Sequence, residues 1–521
     1  MNTTMILTTV FIVLFFALMI GIGIYSRKHA TDVNGFVLGG RSVGPWLSAF
    51  AYGTSYFSAV IFVGYAGQFG WKFGVASTWI GLGNAFIGSL LAWVILGRRT
   101  RIMTQHLSSK TMPDFFGIRY ESKGLKIAAS AITFLFLIPY TASLFNGLSR
   151  LFAMAYTGIP YWVCVIVMAV LTGIYVVIGG YMATAINDFI QGIIMVGGIV
   201  AVIVAVLNDK GGLMSAMEGL TKGDGGWKYA SFFGPEPVFL LFVVLLTSLG
   251  TWGLPQMVGK FYAIKNEGAV KKGTVISTAF AVIVAGGCYF LGGFGRLYDV
   301  DVAKDGFDAV VPTMLSELVP VLIGIVIVLV LSASMSTLSS LVLTSSSTLT
   351  LDFLAPMGKK EMSEKKKMLI MRVFIVVFIA ISAAIAIVQA DPNNKSLFIA
   401  QMMGVSWGAL AGAFLAPFLY GLYFKKTSKA AVIASFVFGV CMELFQLAVS
   451  LGWVTVKDVP VIGFVFQNSL YSGVFAMVGG LIIVPIVSLI TGKTRPKNVD
   501  AMFSCYDEVK TVEITDSLGN G

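Results

Sequence analysis

Apolar residues run along this chain in unbroken stretches of about 20, the length that carries an α-helix across a hydrocarbon core of roughly 30 Å. Thirteen stretches are legible, at 5–25, 46–70, 76–97, 126–156, 160–178, 184–207, 236–259, 273–295, 310–350, 369–389, 397–423, 429–451 and 470–491. A membrane β-barrel would instead alternate apolar and polar residues over short segments. The run 310–350 is too long for one simple crossing, so a loop or short helix is expected near Val311–Pro320, ahead of the helix proper. Between the stretches, Lys and Arg gather in alternate loops: Arg27, Lys28 and Arg41, then clusters at 98–126, 260–272, 359–372, 425–429 and 493–510. Positive charge marks the cytoplasmic side. The pattern therefore predicts a plasma (inner) membrane protein of many spans, its N-terminus outside and its C-terminus in the cytoplasm.

With the first span set aside, spans two to six and seven to eleven form two groups of five. An odd number per group makes the second group start from the opposite face, the condition for an inverted repeat. The corresponding divisions are 1–35 (first helix and loop), 36–207 (first repeat), 208–235 (an extracellular loop), 236–424 (second repeat), 425–492 (flanking helices) and 493–521 (cytoplasmic tail). The leading helix of each group carries helix breakers, Gly53, Gly64, Gly67 and Gly70 in one and Gly250, Gly253 and Pro255 in the other. Interrupted helices at matching positions point to a binding site at mid-membrane, although Gly and Pro are also common in membrane helices generally.

One stretch departs from the apolar rule. Leu331–Thr350, LSASMSTLSSLVLTSSSTLT, is rich in hydroxyls. On a helix Ala333, Ser336, Thr337 and Ser340 share a face, and Ser339 lies beside it. Such a face meets a polar cavity, half of a cation site, or a closely packed partner helix with its hydroxyls bonded back to i−4 carbonyls. Asp188 begins the sixth span, where an acid costs up to about 2.5–3.5 kcal/mol if it reaches mid-bilayer. If it faces the bundle, its partner is a cation or this hydroxyl face. Glu317 is expected at a span entrance, and Glu443 lies within the twelfth span.

Composition agrees with this reading. Of 521 residues 57% are hydrophobic and 12% charged, against about 25% charged in ordinary soluble domains, and mean hydropathy is +0.87. The net charge of +11 follows from the basic loops and needs no nucleic-acid partner. The cysteines Cys164, Cys288, Cys441 and Cys505 have no ligand spacing. Two histidines, His29 and His106, leave little material for a catalytic centre, and the GKT at 492–494 lacks the preceding glycine and strand of a phosphate loop. The protein is not expected to be an enzyme or an ATP-driven pump.

Five motifs in colinear order, FVLGGRSVGPW (36–46), MPDFFGIRY (112–120), IGGYMATAINDFIQG (178–192), WGLPQ (252–256) and SASMSTLSS (332–340), resemble the sodium/solute symporter family, whose members carry proline, pantothenate, sugars and sialic acid. The resemblance implies an all-α polytopic fold of about 13 transmembrane helices, a leucine-transporter-type 5+5 inverted repeat with flanking helices. It implies a first sodium site from Thr54, Phe57, Ala333, Ser336 and Thr337, and a second from Asp188, Ser336, Ser339 and Ser340. It also implies a solute pocket drawing on Tyr56, Ser58, Tyr140, Thr251 and Trp252. Proline carriers have an aspartate where this chain has Tyr56, and SYFSA (55–59) with WGLPQ looks closer to pantothenate carriers. The implied function is sodium-coupled import of a small organic carboxylate, such as an amino acid or pantothenate, by alternating access, with one or two sodium ions and no organic cofactor. The alternatives are a sugar or sialic-acid solute, or a channel or transporter-like sensor. Solute, sodium and lipid are the partners expected; oligomeric state is left open.

Overall fold

The computed structural model describes residues 3–58, 60–156, 158–222, 226–358, 361–389, 399–456 and 459–507. The membrane helices are α1 (Thr3–Ser26), α2 (Pro45–Tyr56), α3 (Val60–His106), α4 (Lys123–Ala155), α5 (Tyr161–Asp209), α6 (Pro237–Leu249), α7 (Pro255–Tyr262), α8 (Glu267–Leu297), α9 (Pro320–Met357), α10 (Glu364–Gln389), α11 (Ile399–Tyr423), α12 (Lys429–Ser450) and α13 (Ser469–Ile490). Proline opens α2, α6, α7 and α9, where its missing N–H costs nothing.

Among the described residues ten helices are long and apolar enough to cross a membrane. Two of them, α3 and α5, run for 47 and 49 residues, each interrupted by a glycine at positive φ: Gly74 (φ 62°) and Gly180 (φ 56°). Helices α6 and α7 form a pair bent by 48°. Within the described residues each expected span falls on helix, and the total depends on whether an interrupted run is taken as one crossing or two. The run at 310–350 divides as expected, into a short helix, Val310–Ser316, and α9.

The hydrophobic windows of α9 and α11 are 72% and 94% buried, against 28% for α1. These two helices therefore form the centre and α1 lies at the edge. α9 packs on α5, α4 and α1, while α11 packs on α12, α13 and α4. α2 lies between α8, α5 and α9.

At the end of the bundle rich in Lys and Arg, Lys126 joins Asp114 at 2.6 Å and Asp352 at 3.3 Å, fixing the loop helix Met112–Arg119 to α4 and α9. The chain then returns to this end. Val499–Phe503 lies over it, with Lys425 paired to Asp500 at 2.8 Å and Tyr506 donating to the Arg99 carbonyl at 3.2 Å. The Glu121 carboxylate accepts from Lys497 N–H at 2.9 Å and Asn498 N–H at 3.1 Å, and these bonds hold its pKa below the ordinary 4.5. A depressed carboxyl stabilises the docked state above the unfolded-state pKa, and that contribution disappears as pH falls through the folded-state value. Once corrected for the intrinsic exchange rate, protection across 499–506 is accordingly expected to fall as pH drops below about 4.5, ahead of the bundle. The pH dependence should largely vanish in Glu121→Gln, and equal protection in both proteins across that range would refute the assignment.

Candidate functional site

Helix α2 stops at Tyr56, and Phe57 turns extended (φ −88°, ψ 115°). The last carbonyls of a helix have no following N–H to accept from. Here Thr54 and Phe57 present theirs to α9. The Ser336 hydroxyl donates to Thr54 O at 3.0 Å and lies 3.0 Å from Ala333 O. The Thr337 hydroxyl lies 3.2 Å from Thr54 O, 3.3 Å from Phe57 O and 3.1 Å from Ala333 O. Five oxygens from two helices 280 residues apart thus converge, and Ser336 and Thr337 are fully buried. The Thr54 side chain takes no part; it bonds back to Phe50 O at 2.8 Å.

The interruption does not fall at a glycine. Gly53 continues the helix, and its missing Cβ makes room for the Phe280 ring of α8, which a Cβ would approach to 2.5 Å. In the second interrupted helix the break comes at Leu254 (φ −85°, ψ 120°), between Gly253 and Pro255.

Across the α2–α3 gap lies a second polar group. Ser58 Oγ, Tyr140 OH of α4 and Trp407 Nε1 of α11 are all buried and have no hydrogen-bond partner of normal geometry. The Tyr140 hydroxyl faces both of the others, and its ring meets Trp407 edge-on with centroids 5.9 Å apart. These three polar groups are buried and turn toward one another, and together they make a place for a ligand's acceptor atoms. Thr251 and Trp252, also expected here, spend their polar atoms elsewhere: Trp252 Nε1 donates to Ile87 O at 3.0 Å, and Thr251 Oγ1 to Ser248 O at 2.9 Å. The Tyr56 side chain lies outside the described residues, as does Ala59. Trp407 was not legible as a candidate; it is one of five aromatics in α11, and only the packing shows its indole facing Tyr140.

The remaining expected residues surround a buried ion pair. Asp188 is fully buried and lies 3.4 Å from the Lys260 ammonium, which also donates to Ser340 Oγ at 2.9 Å. Ser340 Oγ shares a hydrogen bond with Ser55 Oγ at 2.9 Å. Ser339 turns to its own helix, donating to Ser336 O at 2.9 Å. Asp188 thus has a cation and the hydroxyl face as neighbours together. Lys260, read from sequence as a cytoplasmic loop charge, is instead only 3% exposed, because the bend before α7 turns it inward. Glu317 caps the end of the short helix Val310–Ser316, just ahead of α9, and is paired to Lys210 at 3.5 Å. Glu443 is buried in α12.

Two interrupted helices, with an oxygen cage at one break and a buried cluster of donors beside it, define a polytopic membrane carrier of the broken-helix type. Residues 36–439 match the sodium:solute symporter family, and the chain belongs to that family. It is similar to the osmoregulated proline transporter OpuE of Bacillus subtilis (strain 168), 27% identical over 92% of this chain and 94% of the relative. It is also similar to the sodium/proline symporter of Staphylococcus aureus (strain JH9), 28% identical over 94% and 93%. Among solved structures, a Na+-coupled sialic acid symporter superposes with a TM-score of 0.73 at 17% identity, covering 93% of this chain and 98% of that one, which establishes a shared fold.

Proposed function

We propose that the chain is a sodium-coupled symporter that imports a small organic carboxylate by alternating access, with its N-terminus outside the inner membrane and its C-terminus in the cytoplasm. The observation that carries this reading is the five-oxygen cage. Ligands at about 2.3–2.6 Å from a hard cation lie some 3.0–3.6 Å from one another, and the five hydroxyl-to-carbonyl distances here are 3.0–3.3 Å. A sodium ion held by Thr54, Phe57, Ala333, Ser336 and Thr337 replaces the hydroxyl-to-carbonyl hydrogen bonds and ties the α2 break to α9. The C-terminal end of α2 carries partial negative charge toward it. Each sodium ion moving inward through 100 mV gains about 2.3 kcal/mol, enough for roughly 50-fold accumulation of solute.

The solute's carboxylate accepts from Ser58, Tyr140 and Trp407 beside the start of α3, where free helix N–H groups also favour an anion. The names of the two relatives make L-proline the first solute to try. In proteoliposomes containing the purified protein, uptake should saturate with solute and collapse when sodium is replaced by choline. Uptake indifferent to that exchange would overturn the proposal. Trp407→Phe removes one N–H donor and should raise the solute half-saturation about tenfold, since a hydrogen bond to a charged group contributes about 1.5–3 kcal/mol, while the sodium half-saturation stays put.

A further inference from the structure

We infer that Lys260 is a resident cation in the second ion position, so that this carrier binds one sodium ion per chain and not two. The inference rests on the sodium-symport reading above and adds its stoichiometry.

An ammonium has three N–H donors, and here each has a destination. One is Ser340 Oγ at 2.9 Å, a second is Asp188 Oδ2 at 3.4 Å, and the third faces the ring of Tyr181, whose centroid is 5.3 Å from Nζ. Asp188 is the sole acid in an ion pair with Lys260 among the described residues. Its charge is therefore already balanced at the place where a second sodium would need it. The other expected ligands are engaged as well: Ser336 Oγ belongs to the first cage, and Ser339 Oγ is turned to Ser336 O. A sodium ion bound to Asp188 and Ser340 would put two positive charges against one carboxylate in a buried setting, an arrangement that low polarity penalises heavily.

The backbone fixes this substitution. The 48° bend between α6 and α7 brings Lys260 against α5 and α9, so the lysine enters from one interrupted helix to meet the hydroxyl face opposite the other. A cavity of about 40 Å³, lined by Lys110, Thr111, Gln256, Lys260, Ser340 and Ser347, reaches the lysine and Ser340. That is room for a water molecule or two. A tethered ammonium stabilises the packing of α5, α7 and α9 much as a bound ion would. It does not leave the protein, however, and so adds no electrochemical work to the solute's entry.

Equilibrium binding of radiolabelled sodium to the purified, solute-free protein tests this directly. The expected result is one site per chain in the wild type, weakened ten- to a hundredfold in Thr337→Ala. Lys260→Ala should gain a second site, and in Lys260→Ala/Thr337→Ala that second site alone should keep its affinity. Should Lys260→Ala fail to fold, Lys260→Met/Asp188→Asn removes both charges of the pair and is expected to bind one sodium, as the wild type does. Two sites in the wild type would overturn the inference while leaving symport intact. So would a well-folded Lys260→Ala that still binds one, or the charge-free double variant binding two. A wild type that binds no sodium would instead overturn the symport reading.

Discussion

Thr337→Ala should raise the sodium concentration for half-maximal uptake by ten- to a hundredfold, with little change in the folded yield. Among the described residues the Thr337 hydroxyl is the one side-chain oxygen within 3.3 Å of all three cage carbonyls. Losing a polar partner of a charged group costs about 1.5–3 kcal/mol, and each 1.4 kcal/mol is a factor of ten. Thr337→Ser keeps the oxygen and should stay near wild type. Sodium-induced thermal stabilisation gives a solute-free readout, because an ion that binds only the folded state raises the melting temperature with its concentration. An alanine variant with an unchanged sodium titration would dissolve the cage as an ion site.

A comparable loss, in folding and not in ion affinity, is expected from Gly292→Val. Helices α3 and α8 touch backbone to backbone at two glycines. A Cβ on Gly292 would lie 2.2 Å from Ala66 O, and one on Gly70 would lie 2.0 Å from Gly292 O. These obstacles are main-chain atoms and cannot rotate away. In a membrane, where lipid is as apolar as the helices, such close approach of small residues supplies much of the packing energy. Overpacking typically costs about 1–3 kcal/mol even where side chains can yield, and here nothing yields without separating the two helices. The valine protein should give little monodisperse material in detergent, with a melting temperature many degrees lower. A wild-type melting curve would show that the two helices do not meet as described.

Much of this architecture can be read in advance from one physical demand, that backbone polar groups be satisfied inside hydrocarbon. It makes spans long, apolar and helical, and it leaves Gly253 and Pro255 conspicuous as breakers. The hydroxyl face of α9 was legible for the same reason: Ser336 and Thr337 have no place against lipid. What hydropathy cannot supply is direction. Lys260 reads as a loop charge until the bend before α7 is known. Gly53 reads as a breaker although it serves the Phe280 ring. Trp252 and Thr251 stand on the interrupted helix, yet their polar atoms go to nearby backbone, Trp252's to α3 and Thr251's to its own turn. In each case the decisive fact is which neighbour a side chain meets in the folded chain, and periodicity along one helix carries no record of that.

The oxygens that gather between α2 and α9 are all uncharged, and this bears on how fast the carrier can cycle. A cation surrounded by amide and alcohol dipoles is held firmly enough to be recruited where it is plentiful and lightly enough to escape where it is scarce, the balance that any conducting or shuttling pathway needs. A full carboxylate in that ring would lengthen the ion's stay and turn a ferry into a store. Neutral ligands also have no proton to gain in the physiological range, so the loading step should run at nearly the same sodium concentration across several pH values.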